Sequence, residues 1–281
     1  MSQRHDEFAS HNYDAEAMLA VAIDAAMRGG AVISAAANDT ANLKVEQKSL
    51  NDFVTRVDRE SEQAVTAVIR EKFPNHTVVG EEFGLQHRAD QSIRWYIDPL
   101  DGTTNFIRGI PHYAVSIGVT VAEQPVVAVV FDPSKQELFT AVTGQGSYLN
   151  QQPLARLANR EINGALLATG VPFSGTYLEK LPQFSDTMND LLMQNTCGIR
   201  RLGAAALDLA YVAAGRYDGY WEAGLRPWDI CAGMLLVSEA GGEVSDLSGG
   251  TTMLVTGDIL AAASTLHTQM CTITSKHYHA S

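Results

Sequence analysis

Basic residues are in short supply: 20 Lys and Arg stand against 32 Asp and Glu, a formal charge of −12 over 281 residues. Broad binding to nucleic acid or to an anionic membrane wants a basic face, so the deficit argues against both. Cysteine is scarce as well. Cys197, Cys231 and Cys271 are far apart and lack the paired spacing of a zinc site, which reads as free thiols in a reducing cytosol. No run of 18 or more residues is unbrokenly apolar, so no membrane span is expected. The polar opening Met1-Ser-Gln-Arg-His-Asp-Glu7 lacks the apolar core of a secretory signal. Repeats, low-complexity tracts and linkers are missing too. What is there is globular, with 46% apolar and 19% charged residues, enough chain for one large α/β domain or two closely packed halves. The acid excess suits a holder of divalent cations and, equally, a plain acidic surface.

Residues 14–36 place Met18, Ala22, Ala25, Ala26 and Ile33 at helical spacing, with Gly29 and Gly30 expected to admit another backbone. Lys44 to Val57 suits a short hairpin. A second helix is expected from near Asp58 to Phe73, stopped by Pro74. Strands are predicted at Thr77–Val79, Arg94–Ile97, Ala114–Val121, Val126–Phe131 and Glu137–Thr143, the last three as an antiparallel meander. Beyond about residue 160 the pattern predicts strand Leu166–Thr169, helix Leu178–Met193, helix Ala204–Ala214, strand Tyr217–Glu222 and helix Ile230–Ala240. Gly241-Gly242 would close that helix with a left-handed cap. The tail Lys276-His277-Tyr278-His279 reads as a frayed end before it reads as a metal site.

The chemistry concentrates in Trp95-Tyr-Ile-Asp98-Pro-Leu-Asp101-Gly-Thr-Thr-Asn-Phe106. An apolar strand delivers Asp98 at its C-terminal end, the usual place for a site in an α/β sheet. Asp101 returns three residues later, and cations between two such carboxylates would relieve their repulsion. Gly102 and Thr103 then offer backbone N–H groups for a phosphate oxygen. By itself the segment is equally readable as a turn. Further acids stand at Glu81 and Glu82, at Asp229 and at Asp58, the last two also readable as helix caps. A haloacid-dehalogenase phosphatase would carry its second Asp two residues after the first. Here the spacing is three, which discounts a covalent aspartyl-phosphate.

Four segments together resemble the inositol monophosphatase family: Trp95 to Phe106, Trp228 to Gly242, Gly80-Glu-Glu82 and Asp52 to Asp58. Arg201 to Arg216 is most similar to the family's bacterial SuhB-type members, and the likeness runs from about residue 14 to 263. It implies a five-layer αβαβα sandwich of the kind shared with fructose-1,6-bisphosphatases. One phosphatase domain would fill 1–281, with an α+β half to about 160 and an α/β half after it. The implied activity is Mg²⁺-dependent hydrolysis of a phosphate monoester, myo-inositol 1-phosphate first, with two or three ions per site and Mn²⁺ as a substitute. By the same resemblance the metal ligands would be Glu81, Asp98, the carbonyl of Leu100, Asp101 and Asp229. Asp58 and Thr103 would activate the attacking water, and Gly102 and Thr103 would bind the phosphate. Gly203, Ala204 and Glu222 would meet the hydroxyls of the substrate.

Lithium sensitivity, a homodimer and a cytoplasmic location are further implications. So are other substrates of such relatives: fructose-1,6-bisphosphate, histidinol phosphate, NADP or a 3′-phosphoadenosine nucleotide. SuhB-type proteins also bring an expected link to transcription antitermination and ribosomal RNA synthesis, for which the Arg200-Arg201 pair is the one local feature. Two departures bear on substrate preference: Ala204 stands where Ser or Thr is common, and Phe83 follows Glu82 where Ser is common.

Overall fold

The computed structural model describes residues 13–37, 45–49, 52–86, 90–172 and 175–278. The expectations for Met1–Glu7, Lys44, Asn51 and His279 lie outside them. Small and apolar residues three and four apart make α1 (Ala15–Ala37), whose buried stripe is Met18, Ala22, Ala25, Ala26, Gly29, Gly30 and Ile33. By length and composition α1 could cross a membrane, although Glu16, Asp24 and Arg28 interrupt its apolar run. In the fold its stripe faces the protein core. The expected hairpin follows as β1 (Val45–Ser49) and β2 (Asp52–Thr55), paired antiparallel.

Next comes α2 (Arg56–Lys72), which begins two residues before the expected Asp58 because Thr55 is its N-cap. Thr55 Oγ1 accepts the Val57 N–H at 3.0 Å, and Asp58 Oδ2 accepts the Thr55 N–H at 2.8 Å. At Gly29 and Gly30 the nearest neighbours are side chains: an added Cβ would lie 2.8 Å from Ser61 Oγ at Gly29 and 2.4 Å from the Phe131 ring at Gly30.

The large sheet takes β3 (His76–Gly80), β4 (Gly84–Gln86), β5 (Asp90–Asp101), β6 (Ala114–Val121), β7 (Gln124–Asp132), β8 (Glu137–Val142), β9 (Gly146–Leu149) and β10 (Gln152–Pro153), with the short α3 (Thr103–Ile107) after β5. Its order is β10-β9-β8-β7-β6-β5-β3-β4, so the expected meander is present and longer. Alternation along β7 feeds two cores: Val127, Val129 and Phe131 face α1 and α2, while Ala128 and Val130 face the other way. A strand buried on both faces reads as one apolar run.

The second half contributes β11 (Leu166–Thr169), a 3₁₀ turn over Gly175–Lys180, α4 (Leu181–Leu192), β12 (Gly198–Arg200), α5 (Ala205–Ala213), β13 (Gly219–Glu222), α6 (Pro227–Glu239), β14 (Glu243–Ser245), α7 (Met253–Thr256), β15 (Ile259–Ala262) and α8 (Ser264–Thr274). The smaller sheet runs β12-β11-β13-β15-β14. Strands β12, β14 and β15 were not expected from the sequence; β12 and β14, at three residues each, are too short for alternation to show. The expected helix Leu178–Met193 divides into the 3₁₀ turn and α4. The glycine cap of α6 forms as read: Gly241 has φ +83°, and the N–H groups of Gly241 and Gly242 bond Ser238 O and Val237 O. The expected frayed end is corrected. Tyr278 is buried, and His277 Nε2 lies 3.0 Å from Asp190 Oδ2 of α4.

Helices α1 and α2, the large sheet, α5 and α6, the smaller sheet, and α4 and α8 stack in that order as the αβαβα sandwich.

Candidate active site

Strands β3 and β5 are parallel, with Gly80 beside Ile97, so their C-terminal ends reach the same edge. Glu81 follows β3 directly and donates its N–H to Ile97 O at 3.1 Å. In a regular strand, residues three apart such as Asp98 and Asp101 face opposite sides. Here Asp98 pairs with Ser116 and Asp101 with Ala114, three steps on β5 against two on β6. That one-residue bulge, at a proline with no N–H for the ladder, restores the alternation and brings both carboxylates to one side. Asp229 arrives from the smaller half as the third residue of α6, its Oδ2 accepting the Arg226 N–H at 2.7 Å. Ser116 Oγ donates to Trp228 O at 3.2 Å and ties that helix start to the sheet.

Gly102 turns the chain at φ +88°, and a Cβ there would lie 2.9 Å from His112 O. Thr103 then opens α3. Its Oγ1 lies 2.9 Å from Asp58 Oδ1 and 3.0 Å from Leu100 O. Asp58 is buried, which pushes its carboxyl up, against the hydrogen bonds from Thr55 and Thr103. Asp58 therefore closes the helix start with one oxygen and meets the Thr103 hydroxyl with the other.

Asp98, Asp101 and Asp229 each accept a backbone N–H, from Leu100 at 3.0 Å, Ala206 at 2.8 Å and Arg226 at 2.7 Å. Burial is the main influence on all three, raising Asp98 and Asp229 well above the carboxylate range and Asp101 to about 7. Glu81, Asp101 and Asp229 raise Asp98 further, and Glu81 and Glu222 act likewise on Asp101 and Asp229. No Lys or Arg is among the main charges on these three. Buried acids that raise one another in this way fit a hard divalent ion, and the donors are all oxygen, as Mg²⁺ requires. As the side chains stand, no group of three or more His, Cys, Asp or Glu among the described residues is placed to hold a metal ion. The fit therefore rests on donor chemistry and on the acids raising one another, and not on a preformed cage.

On the other side of Asp101, Gly203 (φ +81°) and Ala204 lead into α5. Ala204 gives no side-chain cap, and Asp101 bonds the Ala206 N–H from across the site instead. Glu222 ends β13, accepts the Tyr220 hydroxyl and is pushed up to about 7 by burial, opposed by Tyr220 and Arg201. Arg201 is exposed beside Arg200, as the surface reading expects, and its charge also acts on Glu222 at this end of the site. Asp208 was not singled out in the sequence. It is buried on α5, its Oδ1 has no hydrogen bond among the described residues, and it is held well above its ordinary range by burial, then by Glu222 and Asp101. An acid inside an Ala- and Leu-rich helix was its only signal. Elsewhere, Ser245 Oγ lies 2.9 Å from His267 Nε2, whose Nδ1 is 3.5 Å from Glu243. Ser245 is buried and also within 2.8 Å of Asp246 O, so that trio lacks an accessible nucleophile.

The chain matches the inositol monophosphatase family over residues 14–279. It is 48% identical over 246 residues to the Nus factor SuhB of Pasteurella multocida, covering 88% of this chain and 91% of that protein. The crystal structure of the extragenic suppressor protein suhB from Bartonella henselae superimposes with a TM-score of 0.88 at 36% identity, over 92% of this chain and 99% of that one. The inositol monophosphatase of Anabaena follows with a TM-score of 0.79 at 35% identity, over 93% and 96%. With the layer order and the four motifs in register, these likenesses lead to one conclusion: the chain belongs to the inositol monophosphatase family.

Proposed function

We propose that the protein is a Mg²⁺-dependent phosphomonoesterase that hydrolyses myo-inositol 1-phosphate to inositol and phosphate. The observation that carries this reading is the mutual repulsion of Glu81, Asp98, Asp101 and Asp229 beside the Thr103–Asp58 hydrogen bond. Held by these four acids and Leu100 O, two or three Mg²⁺ ions, or Mn²⁺ in their place, would supply positive charge to the phosphate, the attacking water and the leaving alkoxide.

The chain's own residues do the rest. The N–H groups of Gly102 and Thr103 donate to phosphate oxygens at the start of α3. Thr103 Oγ1, with its proton on Asp58, keeps a lone pair for a proton of the attacking water. Burial raises the proton affinity of Asp58, which suits it to receive that proton through Thr103. Glu222 and the backbone at Gly203-Ala204 orient the hydroxyls of the polyol. The enzyme is proposed to act in the cytoplasm as a homodimer.

A panel comparing kcat/KM for myo-inositol 1-phosphate, fructose-1,6-bisphosphate, histidinol phosphate, NADP and a 3′-phosphoadenosine nucleotide tests the substrate. Preference for any of the last four would replace inositol phosphate in this reading.

The name of the Pasteurella relative favours a second role, as a Nus-type partner of the transcription-antitermination machinery. Full rescue of a null strain by Asp229→Asn protein that cannot hydrolyse substrate would rank that role first.

A further inference from the structure

One turn of α2 touches every strand end that carries a candidate ligand in the first half of the chain. Asp58, Ser61 and Glu62 are three and four residues apart, so they project from one face of the helix. Asp58 bonds Thr103. Ser61 Oγ donates to Pro99 O at 2.9 Å, inside the bulge between Asp98 and Asp101. Glu62 Oε2 accepts the Glu82 N–H at 2.7 Å, and Oε1 accepts the Phe83 N–H at 3.2 Å. Ser61 and Glu62 are both fully buried, and neither contributes to the chemistry above.

We propose that Glu62 and Ser61 are positioning residues that set the candidate metal ligands: Glu62 holds the turn that presents Glu81, and Ser61 holds the bulge that presents Asp98, Leu100 and Asp101. This rests on the metal-dependent reading of the site. Glu81 is pinned on both sides. After it, two N–H groups end on Glu62. Before it, Gly80 leaves room for the same carboxylate, since a Cβ there would lie 1.9 Å from Glu62 Oε1. Ser61 in turn lies against α1 at Gly29, where an added Cβ would come within 2.8 Å of its hydroxyl. The face is thus a template for the backbone: its contacts set the turn after Glu81 and the bulge from which the ligand side chains reach towards an ion.

The chemistry of the turn needs an acceptor on both Glu62 oxygens. Glu62→Gln keeps the size but sets an NH₂ against one of two N–H donors, so the turn must move. Loss of an outer partner of this kind weakens metal binding about 10–100-fold.

The experiment is a Mn²⁺ titration followed by electron paramagnetic resonance, on protein shown folded by circular dichroism. Glu62→Gln and Gly80→Ala should each weaken the tightest site about 10–100-fold, and Ser61→Ala by a smaller factor. At saturating Mg²⁺ the substrate KM should stay within about twofold of wild type, because the loss lies in metal affinity. Wild-type Mn²⁺ affinity in folded Glu62→Gln would overturn the proposal. If that variant does not fold, unchanged affinity in Ser61→Ala overturns it instead. A wild-type protein that binds no Mn²⁺ would sink the phosphatase reading itself, and this proposal with it.

Discussion

Thr103 Oγ1 and Asp58 Oδ1 lie 2.9 Å apart across 45 residues of sequence, while the other oxygen of Asp58 closes the N-terminus of α2 through Thr55. One carboxylate ties a helix cap to the hydroxyl proposed to pass a proton. Thr103→Val keeps the β-branched shape and removes the hydroxyl, so kcat should fall about 10²–10⁴-fold with the fold intact. Asp58→Asn should lose a similar factor, and the double variant little more than either single one. Near-normal kcat in Asp58→Asn at saturating Mg²⁺ would leave Asp58 with its cap alone.

Excess EDTA should abolish hydrolysis and Mg²⁺ should restore it, with Ca²⁺ inhibiting because its looser coordination suits the transition state poorly. Full turnover in EDTA would remove metal from the mechanism. Inhibition in a Li⁺ titration, against Na⁺ as the ionic-strength control, is expected from the family.

Burial raises Asp101 and Glu222 to about 7. A carboxyl raised in the fold contributes stability that is complete below its unfolded value near 4 and lost as pH rises through about 7. The metal-free protein therefore loses this contribution over that window. Bound Mg²⁺ requires the ionised form, so the gap in Tm between Mg²⁺ and EDTA should widen from about pH 5.5 to about pH 8. Differential scanning fluorimetry checks this, and a gap that does not change with pH contradicts it.

His112 has the opposite sign. Burial, helped by the charge of Lys135, lowers its imidazole from 6.5 to about 4, its Nε2 has no hydrogen-bond partner among the described residues, and its ring meets Tyr211 edge-on at 5.7 Å. Stability held by the neutral ring is complete above about 6.5 and lost as pH falls towards about 4. In His112→Phe the drop in Tm between pH 7 and pH 5 should be smaller than in wild type. Parallel curves would show that His112 does not titrate in that window.

Gly102→Ala should lower both Tm and kcat. The left-handed backbone costs a side chain about 1–2 kcal/mol, and the new Cβ would press on His112 O at 2.9 Å. Wild-type activity in this variant would show that the turn tolerates a shift without disturbing Thr103.

Long elements and the acidic motifs were legible in the sequence. Periodicity over 23 residues gave away α1, an unbroken apolar run gave away β7 and a run broken only by small residues gave away β6, because burial on one or both faces leaves a mark that length makes readable. Asp98, Asp101, Glu81 and Asp229 stood out through local signatures at strand ends and at a helix start.

Tertiary structure alone decided how those acids meet. Asp98 and Asp101 share a side only because β5 gains one residue on β6, a relation between two strands that no spacing along one strand contains. Asp58 serves the cap and Thr103 at once because α2 lies against β5, and Ser61 and Glu62 gained their partners the same way. Asp208 and Arg201 acquire meaning only when the smaller sheet sets Glu222 beside Asp101. Periodicity and motifs record what each residue meets locally. The charge of a buried acid cluster depends on which distant segments packing has forced together.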